Sequence, residues 1–277
     1  YYFVVTAVND SGESAESFEV SARPGVAAAG TFDTTFGPVG FVLNNDAGGN
    51  GKTDDGYDVT VDDAGRIVVA GLATGGSPSA KYLSVWRYLP DGGLDPGWSG
   101  SGVVTRGTTA GVNATAYGVR VQPDGKVVVA GETNYGAAKD MFVARYNEDG
   151  TPDGTFGTAG YTLYNSGAAT EGLRDVRVLA NGKIVAAGYA SYSGDYDGVI
   201  VQFTDGGTLD TSFGLGGVAR TARVGNDTFY SLEVQADGKI LGVGGTANRL
   251  LAARFTSAGV LDTASFGAPG YFVAPLA

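Results

Sequence analysis

Four stretches of the chain share one arrangement of apolar and polar positions. An alternating run leads, a short polar corner follows, and a continuous apolar run comes next: VDDAGRIVVAG at 61–71, VQPDGKVVVAG at 121–131, VLANGKIVAAG at 178–188 and VQADGKILGVG at 234–244. Alternation, as in Tyr57-Val59-Val61 and Tyr117-Val119-Val121, predicts a half-buried strand with side chains on opposite faces in turn. The corner glycines Gly65, Gly125, Gly182 and Gly238 supply the positive φ that a tight hairpin needs. The run Val127-Val128-Val129-Ala130 is apolar on both faces and predicts a central strand covered on both sides.

A third strand ending in an aromatic follows each phrase: VWRY to Tyr88, VARY to Tyr146, IVQF to Phe203 and AARF to Phe255. Then comes Asp-x-x-Phe-Gly-x-x-Gly, starting at Asp33, Asp153 and Asp210, at Asp95 with Trp98 in place of Phe, and at Asp262 with one residue inserted. A fourth strand follows, as in Val103-Val104-Thr105 and Tyr161-Thr162-Leu163. The corner glycines are 60, 57 and 56 residues apart, so one supersecondary unit is copied in tandem. Four strands per unit exceed the short coils of a β-helix and match a blade of a β-propeller. No stretch has helical periodicity, and glycine supplies 47 of 277 residues. The expected fold is all-β, a propeller of four-stranded blades with four repeats in this chain. The signature occurs five times and the other strands four. The strand after Asp33 is therefore expected to pair with the last blade and close the ring, leaving Tyr271-Phe272-Val273 to begin a further blade. Either four blades carry a spare strand, or these repeats are part of a larger ring.

The DGK-[IV]-V-x-A-G phrases, the [RQ]-[YF] strand ends and the L-D-T-S-F-G type connections together resemble the delta-60 repeat family of bacterial proteins, over residues 31–277. Arg66 replaces the Lys and Gln202 the Arg of the pattern. The resemblance implies a large exported or surface protein, often multidomain, with no established chemistry. Residues 1–24 stand outside the repeat. Their Y-x-F-x-V-x-A-x-N-x-x-G-x-S string resembles the last strands of a fibronectin type III domain, with Tyr1 at the tyrosine corner. An N-terminal fibronectin-type β-hairpin is thus expected, with residues 25–30 as linker.

Composition narrows the chemistry. A net charge of −11 disfavours nucleic acid and anionic membrane surfaces, both of which are bound through Lys and Arg. No apolar run approaches the ~18–20 residues of a spanning helix. Cysteine is absent, which excludes disulfides and thiolate sites, and histidine is absent, which removes imidazole ligands and the commonest general base.

The repeated aspartates Asp33, Asp95, Asp153, Asp210 and Asp262 precede turns, where a carboxylate accepts backbone N–H groups. Recurrence in every unit makes them scaffold rather than site. Arg87, Arg145 and Arg254, with Gln202 in register, are expected to hydrogen-bond backbone or a repeated Asp. Phe36, Trp98, Phe156, Phe213 and Phe266 are read as inter-blade core, and Tyr135, Tyr189, Tyr192 and Tyr196 as loop anchors. Two acidic stretches, Asp54-Asp55 with Asp58 and residues 193–198, are expected to be solvated loops, with Asp195 and Asp197 as candidate calcium ligands. The leading expectation is a non-catalytic structural, adhesive or binding module at a bacterial cell surface, meeting protein or glycan beside neighbouring domains of its own chain. The alternative is a propeller-type glycosidase or lyase working through paired loop carboxylates.

Overall fold

The structure, a computed structural model, describes residues 31–44, 47, 53–75, 80–106, 113–134, 138–192 and 194–274, together with four two-residue strands nearer the start. β1 (Tyr2–Phe3) pairs antiparallel with β4 (Val20–Ser21), and β2 (Val8–Asn9) with β3 (Gly12–Glu13). The remainder of residues 1–24, expected to be a fibronectin-type hairpin, and residues 25–30, expected to be a linker, lie outside the described residues. Among the described residues every regular element is a strand.

Each repeat forms its own four-stranded sheet in sequence order. The first contains β5 (Asp54–Val61), β6 (Ile67–Gly75), β7 (Ala80–Tyr88) and β8 (Val103–Arg106). The second contains β9 (Ala114–Val121), β10 (Val127–Thr133), β11 (Asp140–Tyr146) and β12 (Tyr161–Tyr164). The third is β13 (Glu171–Val178), β14 (Ile184–Tyr192), β15 (Asp195–Phe203) and β16 (Val218–Arg220). The fourth is β17 (Asp227–Val234), β18 (Ile240–Thr246), β19 (Arg249–Phe255) and β20 (Tyr271–Val273). These are the antiparallel blades of a β-propeller.

Two expectations about the fourth strand are overturned. Tyr271–Val273 begins no further blade: it pairs with β19 in the register Leu251↔Val273, Ala252↔Phe272, and completes the fourth sheet. Residues 41–44, after the first signature, form no strand. The signature before them sits on the turn after β7, where the Gly37 N–H donates to the Asp91 carbonyl at 2.7 Å. The reason is common to both. Every sheet takes as its outer strand the one that follows its own signature, so none needs a strand from elsewhere.

Backbone contacts divide the chain into two compact units, Tyr1–Val127 with Tyr146–Thr151, and Val128–Arg145 with Pro152–Ala277. In the first, Val59, Ile67, Val69, Ala73 and Trp86 form the core, with Phe36, Tyr88 and Leu94 packed against it. In the second, β14 shows why the trailing strand is apolar throughout. Ile184, Ala186 and Ala190 pack on one side with Val128, Met141 and Val143, while Val185 and Ala187 pack on the other with Phe229, Leu232 and Leu251. Alternate residues of one strand thus fill two different cores.

The hairpin corners follow the sequence closely. Gly65, Gly125, Gly182 and Gly238 have φ of 76°, 79°, 80° and 79°. The Gly125 N–H donates to the Gln122 carbonyl at 2.9 Å, closing the turn. At φ near +80° a β-branched side chain is strained by about 1–3 kcal/mol. Gly125→Val is therefore expected to lower urea-unfolding stability by that amount. Gly154→Ala, where a Cβ meets nothing within 4 Å, is expected to stay within about 0.5 kcal/mol of the parent.

Candidate functional site

The repeated signature builds a latch. In each of the first four copies the aromatic lies beneath a glycine in the turn after the next third strand. A Cβ on Gly92 would fall 3.2 Å from Phe36, on Gly150 3.0 Å from Trp98, on Gly207 2.7 Å from Phe156, and on Gly259 3.0 Å from Phe213. Only a residue without a side chain leaves room for the ring. The backbone N–H after each aromatic then donates to the carbonyl preceding that glycine: Gly37 to Asp91, Ser99 to Asp149, Gly157 to Gly206 and Gly214 to Ala258, at 2.7–2.8 Å. Trp98, Phe156 and Phe213 are fully buried.

The aspartate opening the signature organises the same corner. Asp33, Asp95, Asp153, Asp210 and Asp262 each accept a backbone N–H two or three residues on, at 2.8–3.1 Å. The other oxygen of Asp95 takes Arg87 Nε at 2.7 Å, that of Asp153 takes Arg145 at 2.7 Å, and that of Asp262 takes Arg254 at 3.0 Å. Each guanidinium also stands 4.7–4.8 Å over the signature ring, Trp98, Phe156 or Phe266. Arg87 and Arg145 reach further, to the Glu148 and Asp205 carbonyls in the receiving turns at 2.5 and 2.6 Å. Burial raises Asp153, but hydrogen bonds from Thr155 and Arg145 outweigh it and hold the carboxyl below its ordinary value. Asp262 is drawn down to about 2, chiefly by Ser265.

The third repeat keeps this corner with different residues. Gln202 occupies the arginine position, and the cation is supplied from the hairpin instead: Lys183 Nζ meets Asp210 at 2.6 Å. That bond, with those from Ser212, lowers the Asp210 carboxyl. The sequence pattern displayed the Arg-to-Gln change but not the lysine that offsets it.

Two further aspartates join successive first strands. Register shifts at Gly56/Asp58 and Leu173/Asp175 mark β-bulges, and a bulge re-aims the side chain beside it. Asp58 accepts the Val119 N–H at 2.9 Å and Arg120 at 2.7 Å. Asp175 accepts the Leu232 N–H at 2.9 Å and the Ser231 hydroxyl at 3.1 Å. Asp54, Asp55 and Asp58 thus lie on strand β5, not on the solvated loop expected from their charge, because the bulge turns an acidic strand end toward backbone donors.

The stretch 193–198 is corrected in the same way. Ser193 lies outside the described residues, and from Asp195 onward the chain is strand β15. Asp197 is buried and paired with Arg220 at 3.0 Å, while Asp195 accepts the Gly225 N–H at 3.2 Å. Among the described residues no group of three or more acidic, His or Cys side chains is placed to hold a metal ion. Tyr189, Tyr192 and Tyr196 lie on β14 and β15 rather than on loops, and the buried Tyr189 hydroxyl donates to Glu132 at 3.0 Å. Tyr135 lies outside the described residues.

Buried acids, of which only Asp197 is singled out in the sequence, form two repeat-related groups. Glu171 is fully buried, receives the Ser166 N–H at 2.8 Å and the Ser166 hydroxyl, and is raised by burial, with the nearby Asp140 charge adding to the effect. Asp140, itself raised by burial, accepts Asn165 at 2.7 Å. One repeat on, Asp197 of the third sheet stands where Asp140 does in the second, and Asp227 of the fourth where Glu171 does in the third. Burial raises Asp197, against the pull of Arg220, and Arg223 holds Asp227 at 2.9 Å. Their signal in the sequence is an acid at the start of the first strand, at Asp54, Glu171 and Asp227. Separately, a cleft of about 420 Å³ opens between the first two hairpin corners, lined by Asp62, Asp63, Asp124, Glu148, Arg66 and Gln122 among others.

Comparison with known proteins agrees with the repeats. Residues 65–97, 122–156, 179–213 and 235–264 match the family described as "Domain of unknown function (DUF5122) beta-propeller", one match per repeat, so the chain is built of β-propeller-like repeats. No curated protein matches the sequence. Among solved structures, an endo-arabinase from Bacteroides thetaiotaomicron VPI-5482 is similar at 12% identity and a TM-score of 0.42, over 85% of this chain and 79% of that one.

Two outcomes follow from the corner chemistry. Lys183→Met leaves Asp210 without its cation and is expected to cost about 1–2 kcal/mol in urea unfolding, the lysine being partly exposed. Adding Gln202→Arg should restore most of it. The acids predict a pH profile with two limbs. Asp140, Glu171 and Asp197 have raised folded values, so the folded form holds more protons and gains stability as pH falls from neutral toward their unfolded values near 4. Asp153, Asp210 and Asp262 have lowered values, so stability is lost as pH falls below about 3.8. Unfolding midpoints between pH 7 and 2 should rise and then fall, and Glu171→Gln should flatten the upper limb only.

Proposed function

We propose that the chain is a non-catalytic structural and binding module of a large bacterial surface or secreted protein, holding partners of protein or glycan type on its loops. One observation carries the proposal: the polar residues that recur from repeat to repeat are bound within the scaffold. The signature aspartates accept turn N–H groups and cations, Arg87 and Arg145 reach the next turn, and the bulge aspartates join strands. Repetition of a polar residue in this chain therefore serves assembly. The cleft between the first two corners is lined by mainly acidic charged side chains and suits a basic or hydroxyl-rich partner.

A second reading has one observation of its own. Asp140 and Glu171 are neighbouring carboxyls with raised proton affinity, the property required of a general acid. Against it, Glu171 is fully buried and held by Ser166, and the pair has a counterpart in Asp197 and Asp227. A single active centre has no use for such repetition.

The test is a panel of polysaccharides incubated with the protein, with both bound and newly released sugar measured. The expected result is retention of some polymers without release of reducing ends. Release that is abolished by Asp140→Asn or Glu171→Gln, at unchanged melting temperature, would establish the enzyme. Antibody labelling of intact source cells tests the surface location.

A further inference from the structure

The cleft between the first two hairpin corners carries acids that the other repeats do without. Asp62 stands where they have Gln122, Leu179 and Gln235, and Asp63 where they have Pro123, Ala180 and Ala236. Glu148 stands where they have Pro90, Asp205 and Ser257. Of these counterparts only Asp205 is acidic. The recurring acids of the chain are tied into latches, whereas these three are particular to one place. Every residue lining the cleft belongs to the first compact unit.

The cleft has more negative charge than its own cations answer. Arg66 meets Asp62 at 2.6 Å and Glu148 at 3.0 Å, and Lys126 meets Asp124 at 2.7 Å. Asp63 is exposed and has no ion pair among the described residues. A concave wall with an excess of one sign concentrates the field that draws in the other. The rest of the lining asks for more than a charge. Val61, Val121 and Pro123 offer apolar surface beside the carboxylates. Gln122 Oε1, on the same wall, is buried and receives no hydrogen bond among the described residues. A lysine or arginine side chain has the matching parts: an apolar stem, a cationic head and N–H groups to donate. A neutral sugar meets the acceptor but leaves the charge unanswered.

We propose that this cleft is a docking site for a basic segment of a partner protein, which inserts a lysine or arginine side chain between the two corners. The stem lies along Val61, Val121 and Pro123, and the head beside Asp63 and Glu148. The site presupposes the reading of the chain as a binding module and narrows its partner here from protein or glycan to a basic protein segment.

The probe is a fluorescein-labelled peptide of alternating alanine and lysine, titrated with the whole chain by fluorescence anisotropy. Its lysine-acetylated form is the neutral control. The lysine peptide is expected to bind saturably, at least about tenfold more tightly than the acetylated one, and to weaken between about 50 and about 500 mM NaCl. Asp63→Ala with Glu148→Ser introduces residues already used at Ala180, Ala236 and Ser257. That pair should leave the melting temperature unchanged and weaken binding at least about tenfold. Asp205→Ser with Asp237→Asn removes the same charge at other corners and should leave affinity as it is. Absence of saturable binding would overturn the proposal. So would equal weakening by both pairs, which is what general attraction to a chain of net charge −11 produces. Should the cleft pair lower the melting temperature, amide chemical shifts of the parent decide: changes centred on residues 61–66 and 121–125 uphold the site, and changes elsewhere overturn it. The polysaccharide panel keeps the two readings apart. Retention of a polymer by a chain that ignores the peptide sinks the cleft alone, and release of sugar by a chain that binds the peptide as expected sinks only the non-catalytic reading.

Discussion

The fit of a signature aromatic beneath a turn glycine is the constraint on which the rest of this structure depends. A four-stranded antiparallel sheet has two faces, and neither can be left wet when both are apolar. The latch fixes which neighbour covers each face. It combines a buried ring, a backbone hydrogen bond and, at Asp95 and Asp153, an arginine that pairs with the signature aspartate, lies over the ring and extends to the receiving turn. An aromatic contact and a cation–π contact each add roughly 0.5–2 kcal/mol beyond the area they bury. Removing one partner of a buried Arg–Asp pair costs about 3–5 kcal/mol, because the other charge remains uncompensated. Repeats of this kind are therefore coupled mainly to their neighbours.

The same arrangement explains how polar residues are distributed. Acid is plentiful in this chain, yet the acids that recur are tied to N–H groups, arginines or lysines at turns and bulges. Where one partner changes, another replaces it, as Lys183 does opposite Gln202. Such replacement is the behaviour of an assembly element, whose requirement is for a donor at a place and not for a particular residue. The partner-binding capacity proposed for the chain must then come from positions that differ between repeats.

Much of the fold was legible in the sequence because its signals are local. Alternation, an Asp-Gly or Asn-Gly corner and a doubly apolar run identify three strands without any long-range information, and period alone counts the sheets. What failed depended on pairing. Tyr271-Phe272-Val273 looked like the start of a new blade because sequence shows that a strand exists, not which edge it joins. Asp58 and Asp197 look like loop residues because acidic, Gly-flanked stretches usually are; the β-bulge beside Asp58 leaves no distinct mark in the residues around it, and the regular pairing of Asp197 with Ala190 is not visible from sequence alone. The latch was half visible. The glycine always stands four residues after the third-strand aromatic, at Gly92, Gly150, Gly207 and Gly259, but only geometry shows that it receives a ring from the preceding signature.

The central claim, that these latches hold the sheets together, is tested most directly by native-state hydrogen exchange of the Gly37, Ser99, Gly157 and Gly214 amides as urea is raised. If the latches bind the repeats, the amides of Ser99, Gly157 and Gly214, each hydrogen-bonded to the receiving turn beside a fully buried ring, will exchange only with cooperative unfolding of the strands on either side. Exchange at the rate of exposed turn amides, with the strands of both sheets still protected, would contradict the account.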